Sequence, residues 1–288
     1  MPDTLQLDTT LATGVLLCSV SINSLYSWTP LITGLYRMLE HKGLLANGGI
    51  VNASPLAQHF IEVLALMDIE CFTLNRRSQP LGIWKTYVSC SDHATSIEQC
   101  SGLPYSLIDI LADVHAVDAE YRLLHWPGIE SGELVDYHLW ESFRHAGILH
   151  SRALIARAKS TDSIPNPEPG STALCGPALS AKVLQMRTLA SIQAILDSGA
   201  CTFREHLVRD LLYPLFVAGV VSERPEERRV VRVAFQCLAD LTQINMESTV
   251  AGLVFRVWEK VSTEADYLAR LALATELAAA DKIEINLF

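Results

Sequence analysis

No two cysteines in this 288-residue chain form a CxxC pair. The seven present, Cys18, Cys71, Cys90, Cys100, Cys175, Cys201 and Cys237, are scattered. Zinc knuckles and dense disulfide frames need closely paired thiols, so neither is expected. The cysteines read as small buried hydrophobes in a reducing compartment. Basic charge is scarce as well: 22 Lys and Arg face 32 Asp and Glu, for a net charge of −10. A chain this acidic repels a phosphate backbone, so no direct nucleic-acid binding is expected of it. Long apolar runs are missing too. The longest, near "LATGVLLCSVSI", is too short and interrupted to span a bilayer. The start "MPDTLQLD" carries two aspartates and no basic residue, unlike a secretory leader. There is no GxGxxG, Walker loop, GxSxG or HExxH, which removes the common nucleotide-binding, serine-hydrolase and zinc-protease readings. The expectation is a soluble intracellular protein, nuclear or cytoplasmic, with no cofactor, no metal and no membrane contact.

What is present is apolar residue with helical period. Half the residues are hydrophobic and 19% are charged, enough for a large core. In "LPYSLIDILADVHAVDAEYRLL" one stripe holds Leu107, Ile110, Leu111, Val114, Val117, Tyr121 and Leu124, which predicts one helix with Pro104 in its first turn. In "PALSAKVLQMRTLASIQAILDSG" Leu179, Val183, Met186, Ala190 and Gln193 track one side. Leu184, Leu189, Ile192, Ile195 and Leu196 widen the stripe, and Gly199 supplies the stop. "YHLWESFRHAGILHSRALIARA" places Leu139, Phe143, Ile148 and Leu154 towards the core. "STEADYLARLALATELAAADK" opens on Thr263, with Asp266 in the capping-box position. No run of strands is convincing, although the tail "IEINLF" alternates and suits a short extended piece. Three prolines in "KSTDSIPNPEPGSTALCG" (159–176) predict a mobile surface loop. The fold class expected is all-α, an irregular array of antiparallel helices in one domain spanning 1–288.

One stretch stands out, "YPLFVAGVVSERPEERRVV", Tyr213 to Val231. Pro214 suits the first turn of an apolar helix, and Gly219 permits close packing or ends it. Glu226 and Glu227 suit the positive N-terminal end of a new helix after Pro225. Val230, Val233, Ala234, Cys237 and Leu241 then continue a core face. This order resembles the fungal-specific transcription factor domain, the regulatory region that follows the zinc cluster in many fungal activators. The resemblance rests on Pro214, Leu215, Phe216, Ala218, Gly219, Glu227 and Arg228, and on Val257 and Trp258 in "AGLVFRVWEK". Looser matches are "LLCSVSINSLYSWTPLITGLYRML", with Trp28, Leu31 and Gly34, then "SGLPYSLIDILADV" and "WESFRHAGILHSRAL". Tyr213 stands where the family has tryptophan, Pro30 where histidine is common, and Val220 to Ser222 where a Cys-Glu-Ala-like run is usual. The sequence holds no six-cysteine zinc cluster ahead of these motifs. The resemblance implies a regulatory half alone that binds a small effector or a partner protein, in a setting linked to secondary metabolism. The alternative is a standalone member turned into a cofactor-free isomerase, dehydratase or cyclase using His and carboxylate chemistry.

The titratable residues give candidates for that chemistry. His138, Glu141 and His145 share one helix face and could hold a metal or a substrate, though a partly exposed polar stripe explains them equally well. Asp113 and His115, with Asp118 and Glu120, form an acidic patch suited to acid–base work or to simple helix pairing, His115 with Asp118. Asp68 lies among apolar residues: burial should raise its pKa, or an arginine such as Arg76 or Arg77 should pair with it. The densest mixture of rings and titratable groups holds Tyr121, Trp126, Tyr137, Trp140 and Phe143, and it reads as a ligand site or as ordinary aromatic packing. A homodimer is expected through the apolar first segment, with Leu16, Val20, Leu25 and Trp28 near the contact.

Overall fold

The structure is a computed structural model that describes residues 2–46, 49–50, 53–89, 95–161, 179–199, 210–242, 245–261 and 265–287. The stretch 162–178, most of the proline-rich segment, and Thr263 lie outside the described residues. The class is all-α. Helices α1 (Pro2–Asn23), α2 (Thr29–His41) and α3 (Pro55–Met67) form one group, with α1 packed on both others. Short helices α4 (Tyr105–Leu111) and α5 (Ala119–Leu124) lead to the long α6 (Leu134–Thr161), whose broadest contact is with α7 (Ala181–Asp197). Then come α8 (Leu212–Val220), α9 (Pro225–Thr242), α10 (Asn245–Lys260) and α11 (Tyr267–Asp281). The described fold also has two small antiparallel pairings, β1 (Leu45–Ala46) with β2 (Gly49–Ile50) and β3 (Thr73–Leu74) with β4 (Ile285–Asn286), and two short helical turns, Glu70–Phe72 and Trp84–Val88.

Helix α8 is the centre. Every one of its residues is buried, and it touches α6, α7, α9, α10 and α11. A helix apolar on all sides can only be stable when surrounded in this way. Its composition explains the position: Leu212, Tyr213, Leu215, Phe216, Val217 and Val220 leave no polar face. Gly219 sets how close the neighbours come, since a Cβ there would lie 3.1 Å from Val231 and 3.2 Å from Val254. The helix ends where Ser222 folds back, its hydroxyl donating to the Ala218 carbonyl at 2.8 Å.

Local signals start the other helices. Ser54 caps α3 by accepting from Ala57 N at 3.0 Å, and Ser180 caps α7 by accepting from Val183 N at 3.2 Å. Asp266 itself caps α11, accepting from Ala269 N at 2.8 Å, so that helix begins later than the sequence suggests. Glu227 reaches back to accept from the backbone N–H groups of Glu223 and Arg224, the return half of a capping box. Gly199 takes a positive φ of 69° just past α7, the left-handed stop its sequence predicts.

Three stripes differ from expectation. The helix predicted over 103–124 breaks into α4 and α5, and Val117 is 90% exposed between them. Aspartate, histidine and β-branched residues in "ADVHAVDA" are weak helix formers, and the break lets α5 pack on α6. On α7 the second stripe is the core face: Leu184, Leu189, Ile192 and Ile195 are buried, while Val183 and Met186 are exposed. On α9 Val231, Ala234, Phe235 and Leu238 face inward, and Val233 points out. Helix α6 continues through Thr161, past the predicted loop start at Lys159.

The chain's two ends meet through buried carboxylates. Glu284, just before β4, accepts from Trp28 N (2.9 Å), Thr29 N (3.2 Å), Thr29 Oγ1 (2.5 Å) and Arg77 N (2.7 Å). It thereby caps α2 from the far end of the sequence. Beside it, Asp68 is buried and pairs with Arg76 at 2.5 Å, while Leu81 N and Ile83 N also donate to it. Burial raises the Asp68 carboxyl pKa even against the Arg76 charge, so both effects expected from the sequence are present.

Candidate functional site

The aromatic group singled out from sequence divides in two. Trp126 and Trp140 meet edge to face at 6.3 Å, and Tyr137 meets Trp140 at 5.0 Å. Their polar atoms are spent on the protein: Trp126 Nε1 donates to Ser106 Oγ, Trp140 Nε1 to the Gly102 carbonyl, and Tyr137 OH to the Ile129 and Glu130 carbonyls. Phe143 points elsewhere, into a cluster with Phe72 and Tyr213. Tyr121 is half exposed and stacks on His125. These rings pack and brace the fold, with side chains committed to one another.

The titratable candidates behave likewise. His145 is 3% exposed, with neither ring nitrogen hydrogen-bonded, and its Nε2 lies 3.6 Å from Glu141 Oε2. Burial lowers its pKa to about 4; Glu141 opposes this, and Arg144 and Arg187 add to it. Glu141 instead holds Arg144 at 2.7 Å, and His138 is half-buried on the same helix. Among the described residues no three His, Cys, Asp or Glu side chains are grouped to hold a metal ion. Asp113 gathers Lys85 (2.9 Å), His115 (3.5 Å) and Arg122 (3.6 Å) in a partly exposed ion network. His115 therefore pairs with Asp113, not with Asp118 one turn on.

A cleft does open beside α8, where the sequence reading placed none. It lies between α6, α8 and α11, with a volume of about 240 Å³. Leu74, Leu154, Phe216 and Leu271 make apolar walls, and Ala153, Ala156 and Ala272 leave the space. His150 supplies the polar floor. Its Nδ1 lies 3.3 Å from the Tyr213 hydroxyl, and the two rings are 5.9 Å apart. The ring borders the cleft, yet the apolar surroundings still lower its pKa to about 4, so it is neutral near pH 7. Behind it, burial raises the pKa of the Tyr213 hydroxyl and of the Cys71 thiol, which donates to the Leu111 carbonyl at 3.4 Å. The candidate site is a largely apolar slot that also has Arg157 and Thr275 in its lining, with the neutral His150 and the Tyr213 hydroxyl at its base. Its signal was present in the sequence as alanines one turn apart on α6, in line with a histidine on the same face. Aromatic residues drew the prediction elsewhere, but space comes from small side chains.

At the other end of α8, Trp258 Nε1 donates to the Gly219 carbonyl at 2.8 Å. The guanidinium groups of Arg228 and Arg232 each lie 5.2 Å from the Trp258 ring centre. The residues of the resemblance thus have physical tasks: Pro214 to Gly219 form the buried rod, Glu227 caps α9, and Arg228 covers the tryptophan that holds the rod's end. Neither a curated protein nor a solved structure gives a significant match to the chain. The family model for the fungal specific transcription factor domain matches residues 2–127 and again 125–268. The chain belongs to the fungal specific transcription factor domain family.

Proposed function

We propose that the chain is an effector-responsive regulatory domain, and that the effector is a small, largely apolar molecule seated between α6, α8 and α11. The cleft against Phe216 carries the reading. It offers apolar walls, one neutral histidine and contact with the central helix, the arrangement small-molecule sites favour. With a net charge of −10 the chain regulates without gripping DNA itself, which suits a nuclear protein acting beside a basic module. A compact apolar effector also fits a regulator linked to secondary metabolism.

The test is a reporter strain in which the chain is fused to a heterologous DNA-binding module. Ala272→Phe, which fills the cleft from an exposed position, should abolish the response to metabolite extract and leave basal expression and protein level unchanged. A full response in Ala272→Phe would move the effector elsewhere.

Assembly as a homodimer through α1 belongs to the same proposal. No charged residue occurs from Thr9 to Tyr36 in this acidic chain, and Leu16, Val20 and Tyr26 are 64%, 59% and 71% exposed. Two copies can meet there without like-charge repulsion. Trp28, expected near the contact, is fully buried in the chain's own core, and Leu25 is only partly exposed, so the face consists of Leu16, Leu17, Val20 and Tyr26 instead. Light scattering at tens of micromolar should give twice the chain mass and fall to one with Leu16→Glu; a monomeric parent rejects the dimer.

A further inference from the structure

The first turn of α9, the last turn of α10 and the first turn of α11 lie together, and they bring three arginines to one place. Arg270, on α11, is 1% exposed. Its Nε donates to the Ala265 carbonyl at 3.2 Å, but its Nη1 is buried with no hydrogen-bond partner. Among the described residues the nearest carboxylate, Glu223, stands 3.9 Å from Arg270 Nε, beyond hydrogen-bond reach, and is half exposed. Arg228 and Arg232 cover Trp258 beside it. Burial lowers the Arg228 pKa, and the charges of Arg270 and Arg232 lower it further. The positive charge here is concentrated and only partly neutralised.

The other described acids nearby are occupied. Glu227 holds Lys182, Gln185 and two backbone N–H groups. Burial would raise its pKa, but those bonds bring it down to about 2. Asp266 caps α11. A buried guanidinium N–H without a partner is costly, and its retention asks for a reason. Planar guanidinium groups match the paired oxygens of carboxylate and phosphate. A cleft of about 250 Å³, lined by Lys182, Gln185, Glu223, Asp266 and Tyr267, lies on the far side of Glu223; none of the three arginines lines it, and Glu223 stands between it and Arg270.

We propose that Arg270 and Arg228, with Arg232 at the rim, form a binding site for an oxoanion, the phosphate or carboxylate group of a small molecule. The site is separate from the apolar cleft, and its test is independent of that reading. Glu223 is the group an arriving anion displaces from beside Arg270.

Thermal unfolding of the full chain is measured at constant ionic strength set with KCl, then with inorganic phosphate or citrate at about 10 mM. Either anion should raise the melting temperature by about 2–4 °C. Phosphate alone, citrate alone, or both identifies which oxoanion chemistry fits. Arg228→Gln, at a partly exposed position, should lose most of the shift, measured against its own melting temperature without anion, which falls with the loss of the contact to Trp258 and the bond to the Ser222 carbonyl. Arg270→Leu should melt higher than the parent without anion and show no shift. The site is overturned if neither anion acts beyond KCl, if Arg228→Gln keeps the full shift, or if Arg270→Leu melts lower, which would make Arg270 a structural partner.

Discussion

Glu284→Ala should cost about 3–5 kcal/mol of stability, the largest loss expected from any single truncation on the α2 side of the molecule. The carboxylate is buried and accepts four hydrogen bonds, three from backbone N–H groups of Trp28, Thr29 and Arg77. Alanine removes the acceptor and leaves the buried Trp28 and Thr29 N–H groups without a partner, while the Arg77 N–H is only partly buried. The start of α2 also loses its cap, a further contribution of about 1 kcal/mol included in that range. Glu284→Gln keeps the shape but puts an N–H₂ against other donors, so it should recover less than half of the loss. Urea titration followed by far-ultraviolet circular dichroism measures both variants. A loss below about 1 kcal/mol for alanine would mean the tail is held by β4 pairing and Leu287 packing alone.

Acid should destabilise the chain well above the carboxylate range. His145 and His150 are neutral in the folded state, each with its pKa lowered by burial to about 4. In the unfolded chain both titrate near ~6.5. Between these values the unfolded chain binds more protons, so stability rises with pH. The contribution is complete above about pH 6.5 and is lost as pH falls towards 4. Two such groups give a loss of about 4 kcal/mol across the window, allowing for the partial exposure of His150 at the cleft. Asp68 and Glu62 oppose this: burial raises their carboxyl pKa values, so their protonation is favoured in the fold. His145→Leu should raise stability, because it removes two buried nitrogens with no hydrogen-bond partner, and should remove about half of the slope. Denaturation midpoints at pH 7 and 4.5 for the parent and for His145→Leu decide it; the same pH dependence in both would show that burial does not hold His145 neutral.

The sequence made the helices legible where apolar period and propensity agree. The tail "IEINLF" and the stretch around Pro214 read correctly because each is short and strongly patterned. Val117 shows what period alone misses, since a stripe can run on through residues too weak in helix propensity to sustain it. Val183, Met186 and Val233 show a second limit: a helix with apolar residues on two faces does not say which face meets α8. The candidate cleft was less legible. Rings and histidines clustered in sequence turned out to brace one another, whereas the cleft is assembled from α6, α8 and α11, distant in the chain. Glu284 and Trp28 lie 256 positions apart, and no local pattern joins them. Asp68 is the exception, because its arginine partner lies only eight residues on.

Helix α8 has one more consequence. Phe216 forms a wall of the apolar cleft, and Gly219, one turn further on, accepts the hydrogen bond from Trp258 that the arginines cover. A ligand at either end that shifts this rigid nine-residue rod moves the other end with it. Two occupants would then share one coupling free energy. By thermodynamic reciprocity, whatever factor an oxoanion imposes on the affinity of the cleft, an apolar effector imposes on the arginines. With both proposed sites occupied, the buried rod would make the domain a two-input device, reading one molecule for its surface and the other for its charge.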